Sequence, residues 1–571
     1  MAGVRLRGSK LAPETQRAHD RHRPWVIVPV FAVLLLYCWC YTHLAAWLGV
    51  PTPREVFDAL GLSGTRILDE DGNFDSKLYA SATEIFNNDD ERLIMLAGLF
   101  GCFVSVYFAP LRLKNLAIVG WFVPLFGLLY GVPATVLLLA AHLAIWLAFH
   151  PGAGRSVGVA GLWGALVGWL ATAGQAGWPQ AIAVVGAGAL ASAIYHGSRA
   201  ALTGGGRWLS VLRTCLIQTC MIVVLVATVR EGLTGRMWVM PVGLLFFCFQ
   251  WARLMVYHAD YKDGEVPRDL PLGDYLALFL TPAAIPNLAY APYLGQGYTF
   301  LQERRLAADK NALVLSGVKL WCLALVYMVF AEHVTARFVV LMREVFGVEV
   351  FKFTSDLVRA HLAGERLSTP TVLISTIVDQ ARIFLIYGGV THFRVGAWRV
   401  LGYRMETQYD RPWLATNLAA LWSRFAFHFR EFLVRVFYYP VFFRWFKRRR
   451  TLRIFVATMV ATVVGNLIWG HIPPRTLVDL RWGTLLAGLS TWPYFLLLGL
   501  GISITQVVLL RRPRTRRPWT RDRRIALDVV CAYLTFQFFS LIHVFIRPQE
   551  GGSLWAYTRL FLRGLGIHLE P

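Results

Sequence analysis

The chain has 571 residues, of which 56% are apolar and only 16% charged, and its mean hydropathy is +0.49. Soluble domains carry about 25% charged residues, so there is too little polar surface here for a water-soluble fold. Disorder and collagen-like repeats fail on the same numbers. What remains is an all-α polytopic membrane helix bundle. The net charge of +23 raises nucleic acid as a partner. Its distribution argues for none, because most of the excess sits in three short stretches that abut apolar runs.

The first of these is a basic N-terminus, residues 1–24, with six Lys/Arg against Glu14 and Asp20. It is expected to be cytoplasmic, as the positive-inside rule requires. A first transmembrane span follows over 25–50 (Trp25 to Val50). It is longer than the apolar region of a signal peptide and ends in no small-x-small site, so it is expected to be retained. Residues 51–92 then carry ten acids against four bases and form an acidic extracytoplasmic loop. Within it, Asp69-Glu70-Asp71-Gly72-Asn73-Phe74-Asp75 imitates a calcium loop. Gly72 comes too early and Ala80 stands where the twelfth-position Glu belongs, so no metal is expected.

From Leu93 the chain is almost continuously apolar. A span needs ~20 such residues. Candidates are 93–110, 114–130, 131–149, 157–173, 180–198, 208–229, 237–257, 311–336, 370–391, 452–470, 483–510 and 525–547. With 25–50 they make roughly a dozen spans, grouped as N-terminal helices (93–270), a core (271–482) and C-terminal helices (483–571). The second basic stretch, Arg444, Lys447, Arg448, Arg449, Arg450 and Arg453, lies in the core. The third, 511–524, holds eight Arg against Asp522 and reads as a cytoplasmic loop beside anionic headgroups. The eight cysteines lie in apolar stretches with no C-x-x-C pair, so neither disulfides nor zinc is expected.

Two regions do not read as simple spans. Residues 271–300 are apolar but broken by Pro271, Pro282, Pro286 and Pro292, which points to re-entrant backbone buried in protein or lining a cavity. Residues 413–446 are aromatic and basic together, so they lie in the interface or line a wet cavity.

Ionisable residues at membrane depth are functional candidates, and histidine suits proton transfer near neutral pH. His471 closes the apolar run ending Asn466-Leu467-Ile468-Trp469-Gly470-His471, and Pro473 and Pro474 stop the helix there. It is either an interfacial cap or a base. Residues 401–440 read LGYRMETQYDRPWLATNLAALWSRFAFHFREFLVRVFYYP. Here Gly402-Tyr403, Asp410-Arg411-Pro412-Trp413, Trp422-Ser423-Arg424-Phe425 and Tyr438-Tyr439-Pro440, then a basic loop and Ile468-Trp469-Gly470-His471, follow one another in order. This arrangement resembles the membrane-bound O-acyltransferase (MBOAT) family over roughly 270–475, and most closely its bacterial branch with the alginate O-acetyltransferase membrane subunit. Ala426 stands at the position of the family's first histidine, with His428 two residues on, and Gly470 separates Trp469 from His471.

The resemblance implies a bundle enclosing a channel, with no tightly bound cofactor. A cytoplasmic acyl-CoA or similar thioester donates an acetyl or other short acyl group to a hydroxyl of an envelope polysaccharide or lipid. His471 is the implied general base, with His428 and Asn466 as the other candidate catalytic residues. Asn466 is a candidate oxyanion donor, although five residues from His471 it lies off that helix face. Trp422, Arg424, Arg430, Arg435, Tyr438 and Trp469 are the candidate substrate-binding residues. The arginines either hold donor phosphates or form a snorkelling interfacial face. The implied setting is a bacterial inner membrane, with membrane lipid and a periplasmic protein as partners.

Other motifs are weaker. His258 to Asp263 matches the H-x4-D string of glycerolipid acyltransferases. Gly154-Arg155-Ser156-Val157-Gly158 matches G-x-S-x-G but joins two apolar runs, whereas the elbow needs a strand before it. No P-loop appears. His392, beside Arg394 after the 370–391 span, reads as a solvated cap. A transporter, flippase or polymerase for lipid-linked glycans and a non-catalytic scaffold are the alternative functions.

Overall fold

A backbone surrounded by lipid has no water to bond, so a span closes its N–H and C=O groups within one helix. The computed structural model describes residues 22–39, 89–130, 139, 142, 146, 251–267, 270–280, 297–298, 309–467, 491–511, 521–546 and 552–569. Among these the regular structure is all helical, with no strand. Among the described residues four helices are long and apolar enough to cross a membrane: Lys310–Val329, Thr369–Val400, Trp492–Leu510 and Asp522–Ile546. Shorter apolar helices cover Pro24–Tyr37, Leu96–Phe108 and Lys114–Leu125. The expected spans 157–173, 180–198 and 208–229 lie outside the described residues, as do most of 131–149 and 237–257. The acidic loop before Asp89 and the Pro-broken stretch 281–295 also lie outside them.

In chain order the helices are α1 (Ile27–Trp39), α2 (Asp89–Phe108), α3 (Lys114–Tyr130), α4 (Trp251–Asp263), α5 (Leu272–Leu280), α6 (Lys310–Val329), α7 (Thr335–Phe346), α8 (Thr354–Leu362), α9 (Thr369–Val400), α10 (Leu418–Phe425), α11 (Phe427–Leu433), α12 (Tyr439–Arg444), α13 (Arg450–Met459), α14 (Trp492–Arg511), α15 (Arg521–Leu541) and α16 (Leu554–Gly564). They divide between two compact units. One comprises Pro53–Ala289 with Pro474–Leu480, and the other Met1–Thr52, Tyr290–Pro473 and Arg481–Pro571.

The first unit holds α2 to α5. Its interior is aromatic: Tyr257, Tyr275 and Phe279 pack with ring centroids 4.7–5.6 Å apart. The Arg253 guanidinium lies 5.3 Å from the centre of the Phe279 ring and donates to the Phe279 carbonyl at 2.9 Å. Asn115 on α3 donates to Asp274 in the first turn of α5. Buried polar side chains at this depth need such partners.

The second unit is built on α6 and α9. Lipid tails are as apolar as leucine, so helices here associate by close packing, which small residues permit. A Cβ on Gly317 of α6 would stand 2.6 Å from the Gly396 carbonyl oxygen, and one on Gly396 would stand 2.8 Å from the Gly317 carbonyl. The two backbones therefore touch. Trp321 closes the contact, donating its indole N–H to the Phe393 carbonyl at 2.8 Å and stacking on that ring at 5.5 Å. Farther along α9, Ser375 accepts from the Phe351 N–H at 2.9 Å and Asp379 from the Thr354 N–H at 3.0 Å. Asp379 also pairs with Arg382 at 3.0 Å, and these bonds fix the start of α8 against α9. Leu421, Phe495, Leu498, Phe539, Leu541 and Leu560 join α10, α14, α15 and α16 in one apolar core.

The α9 helix runs past the expected end at 391. No glycine or proline interrupts Thr391 to Val400 except Gly396, which the α6 contact holds in place. The helix stops where Leu401 caps it and Gly402 turns left-handed at φ 82°, the usual way an α-helix ends.

Candidate functional site

The segment from Tyr403 to Phe432 carries His428, Trp422, Arg424 and Arg430 of the predicted site. Residues 406–410 run alongside the junction of α10 and α11. The Phe427 N–H donates to the Gln408 carbonyl at 3.1 Å and the Asp410 N–H to the Arg424 carbonyl at 2.8 Å. The junction residue is Ala426, fully buried and outside helical geometry. Ala426 thus sits at a buried kink between the two helices.

His428, two residues on, is completely buried. Its Nε2 lies 3.1 Å from the Glu406 carbonyl oxygen. A carbonyl only accepts, so Nε2 carries the hydrogen and Nδ1 presents its lone pair. Nδ1 is buried with no hydrogen-bond partner. This is the neutral, proton-accepting form that a general base needs. Burial pushes the imidazole down from 6.5 to about 4, against the smaller opposing effect of the bond to Glu406. His428 is therefore neutral at pH 7 and a weak base until a ligand or a charge alters its surroundings.

That burial predicts acid sensitivity. Unfolded, His428 takes a proton near pH 6.5; folded, only near 4. Between these values the unfolded chain binds more protons, so stability falls as the pH falls, by roughly 3 kcal/mol in all. Chemical unfolding in detergent from pH 7 to 4 should show this slope for the wild type and a flatter one for His428→Gln. Equal slopes would place the titrating group elsewhere.

The other predicted residues fall into distinct settings. Trp422 is half-buried, with its ring 6.3 Å from Phe425 and 6.4 Å from Phe429. Arg424 ends α10 and is half-buried. Arg430 pairs with its neighbour Glu431 at 2.6 Å and lies 5.2 Å from the centre of the Phe427 ring. Its charge is thereby partly neutralised, which weakens it as a phosphate ligand. Arg435 and Tyr438 belong to a π-helical turn, Val434–Tyr438. Tyr438 stacks on Phe442 at 5.3 Å, and burial, with Tyr439 adding, raises its phenol above the usual range. Asn466 is buried and donates to the Thr462 carbonyl at 2.7 Å, which leaves its other N–H for a ligand. Trp469 and His471 lie outside the described residues.

Two π turns bring these pieces together. The second, Val460–Gly465, continues α13 and leads to Asn466. At Gly465 a Cβ would lie 2.7 Å from Leu433 and 3.0 Å from Phe437, so the two widened turns abut. π turns are rare and concentrate at functional sites. No hydrophobic pattern announces them, because an extra residue in one turn leaves the composition of the segment unchanged.

His392 is the polar group that the sequence undervalued. It is 4% exposed rather than a solvated cap, and its Nδ1 is buried without a partner. Tyr327, His392, Tyr409 and Trp413 form a closed circuit of ring contacts, each neighbouring pair 5.4–6.2 Å apart. Gly388, one turn earlier on α9, makes room for it: a Cβ there would strike Tyr327 at 2.7 Å and Tyr409 at 3.0 Å. Gln408, beside Tyr409, has both amide atoms buried without partners. His428, Gln408 and His392 are thus buried polar side chains set among aromatic rings. The glycine at 388 and the histidine four residues on were the available signal. Among the described residues no group of His, Cys, Asp or Glu is arranged to hold a metal ion.

No protein-family model matches the chain, and no curated protein matches it.

Proposed function

We propose that this chain is an integral membrane O-acyltransferase of about a dozen spans, lying in a bacterial inner membrane with its N-terminus cytoplasmic. It moves an acyl group from acyl-CoA or a similar thioester to a hydroxyl of an envelope polysaccharide or lipid. The observation that carries the reading is the abutment of the two π turns, which joins the helix bearing His428 to the helix bearing Asn466 and leading toward His471. The order of residues that resembles the MBOAT family runs through this same stretch.

The chemistry follows from these side chains. The acceptor oxygen attacks the thioester carbonyl carbon while a neutral imidazole takes the hydroxyl proton. The carbonyl oxygen gains negative charge, which an amide N–H such as that of Asn466 stabilises. The carbon–sulfur bond then breaks, and the thiolate takes the proton from the imidazolium. A water-poor, aromatic interior strengthens each of these interactions and keeps water from consuming the thioester.

Membranes containing the chain, given acyl-labelled coenzyme A thioester and an envelope extract, should transfer label to an ester that mild alkali releases. Membranes without the chain should not. Loss of lipid-linked glycan translocation in a deletion strain, with no change in ester content, would instead mark a transporter.

A further inference from the structure

A second site lies at the surface of the larger unit, apart from His428 and Asn466. An open groove of about 570 Å³ runs between α13 and α14. One end is basic, with Arg449 and Arg450. Its walls are apolar, with Leu452 and Phe455 on one side and Ile504 and Val508 on the other. Ile504 is 57% exposed and Val508 45%. Both lie in the last two turns of Trp492–Leu510, a helix apolar enough to span. The groove therefore pairs a headgroup-level cationic end with a wall at acyl-chain depth.

Charge selects the occupant. Between Glu431 and Asp479, and again between Asp479 and Asp522, the sequence has no carboxylate. Neither wall thus brings an acid of its own to the arginines, and the 444–453 stretch alone carries six cations. A soluble anion would use the arginines but leave the apolar wall uncovered. A zwitterionic lipid would cover the wall but bring a cationic group to a cationic end. We propose that the groove binds an anionic phospholipid, with its phosphate on Arg449 and Arg450 and one acyl chain along Phe455, Ile504 and Val508. This site is independent of acyl transfer, and a catalytically dead chain retains it.

The full-length protein in detergent, titrated with short-chain phosphatidylglycerol, should show a saturable rise in melting temperature. Phosphatidylcholine of the same chain length, and inorganic phosphate, should give none at equal concentration. Each arginine near an anionic headgroup contributes about 1 kcal/mol, so Arg449→Gln with Arg450→Gln should weaken apparent affinity about 30-fold. Val507→Trp, which fills the groove without touching its charge, should abolish the shift. Both proteins should melt like the wild type without lipid, and a variant that does not is replaced by the other as the deciding measurement. Equal shifts with phosphatidylcholine, a shift with phosphate alone, or unchanged affinity in the double variant would overturn the proposal.

Discussion

Gly317→Ala is expected to destabilise the larger unit by ~3 kcal/mol, and Gly317→Leu to abolish its accumulation in membranes. Overpacking a tight interior typically costs about 1–3 kcal/mol when side chains give way. Here the added carbon meets the Gly396 carbonyl at 2.6 Å and the Val400 N–H nitrogen at 3.0 Å. Backbone cannot rotate aside, so α6 and α9 must separate. Separation also pulls Trp321 from the Phe393 carbonyl, leaving a buried indole N–H unsatisfied. Gly396→Ala should behave alike, because its Cβ meets Trp321 at 2.6 Å as well. Gly120→Ala is the control: nothing lies within 4 Å of that Cβ, and the change should be neutral or slightly stabilising through helix propensity. Folded yield by fluorescence-detected size exclusion, with detergent melting of what survives, separates these outcomes. Wild-type stability in Gly317→Ala would mean that the two helices do not meet there.

His471→Ala is expected to lower acyl transfer by about 10²–10⁴-fold, the usual contribution of a general base, equivalent to about 3–5 kcal/mol of activation free energy. Expression and insertion should be unchanged. An alkoxide is too basic to form unaided at neutral pH, and the resemblance assigns proton removal to this imidazole. His428→Ala supplies the comparison. If His428 supports the site without removing the proton, its loss should affect the Michaelis constant and folded yield more than the turnover rate. If transfer survives in His471→Ala and disappears in His428→Ala, the base is the buried histidine whose Nδ1 already presents a lone pair. If only His258→Ala is inactive, the H-x4-D string carries the chemistry and the assignment of the site to 401–471 is wrong.

The polar residues along 392–410 show where reading the chain in one dimension stops. His392 sits beside Arg394 and near Arg399 in sequence, and such clusters usually mark the wet end of a span. In the folded protein the helix continues to Val400, and Tyr327, 65 residues earlier in the chain, arrives to cover the ring. Gly388 permits that approach, yet a glycine in a helical pattern announces no particular partner. The abutting π turns are the same kind of feature, since an extra residue in a helical turn leaves an apolar sequence looking apolar.

Composition by itself pointed to helices apolar enough to span a membrane, because so few charges cannot cover a water-soluble surface and a backbone in lipid must close its own hydrogen bonds. The three basic runs, and the order of aromatic and basic residues through 401–471, were equally plain, since charge and residue identity need no fold to be read. Tertiary structure alone decided which polar groups are buried: His392, Gln408 and His428 inside. It also set Gly317 against Gly396 and opened the groove beside Arg449. Each of these depends on chain segments far apart in sequence coming within a few ångströms, and no local pattern of residues encodes that distance.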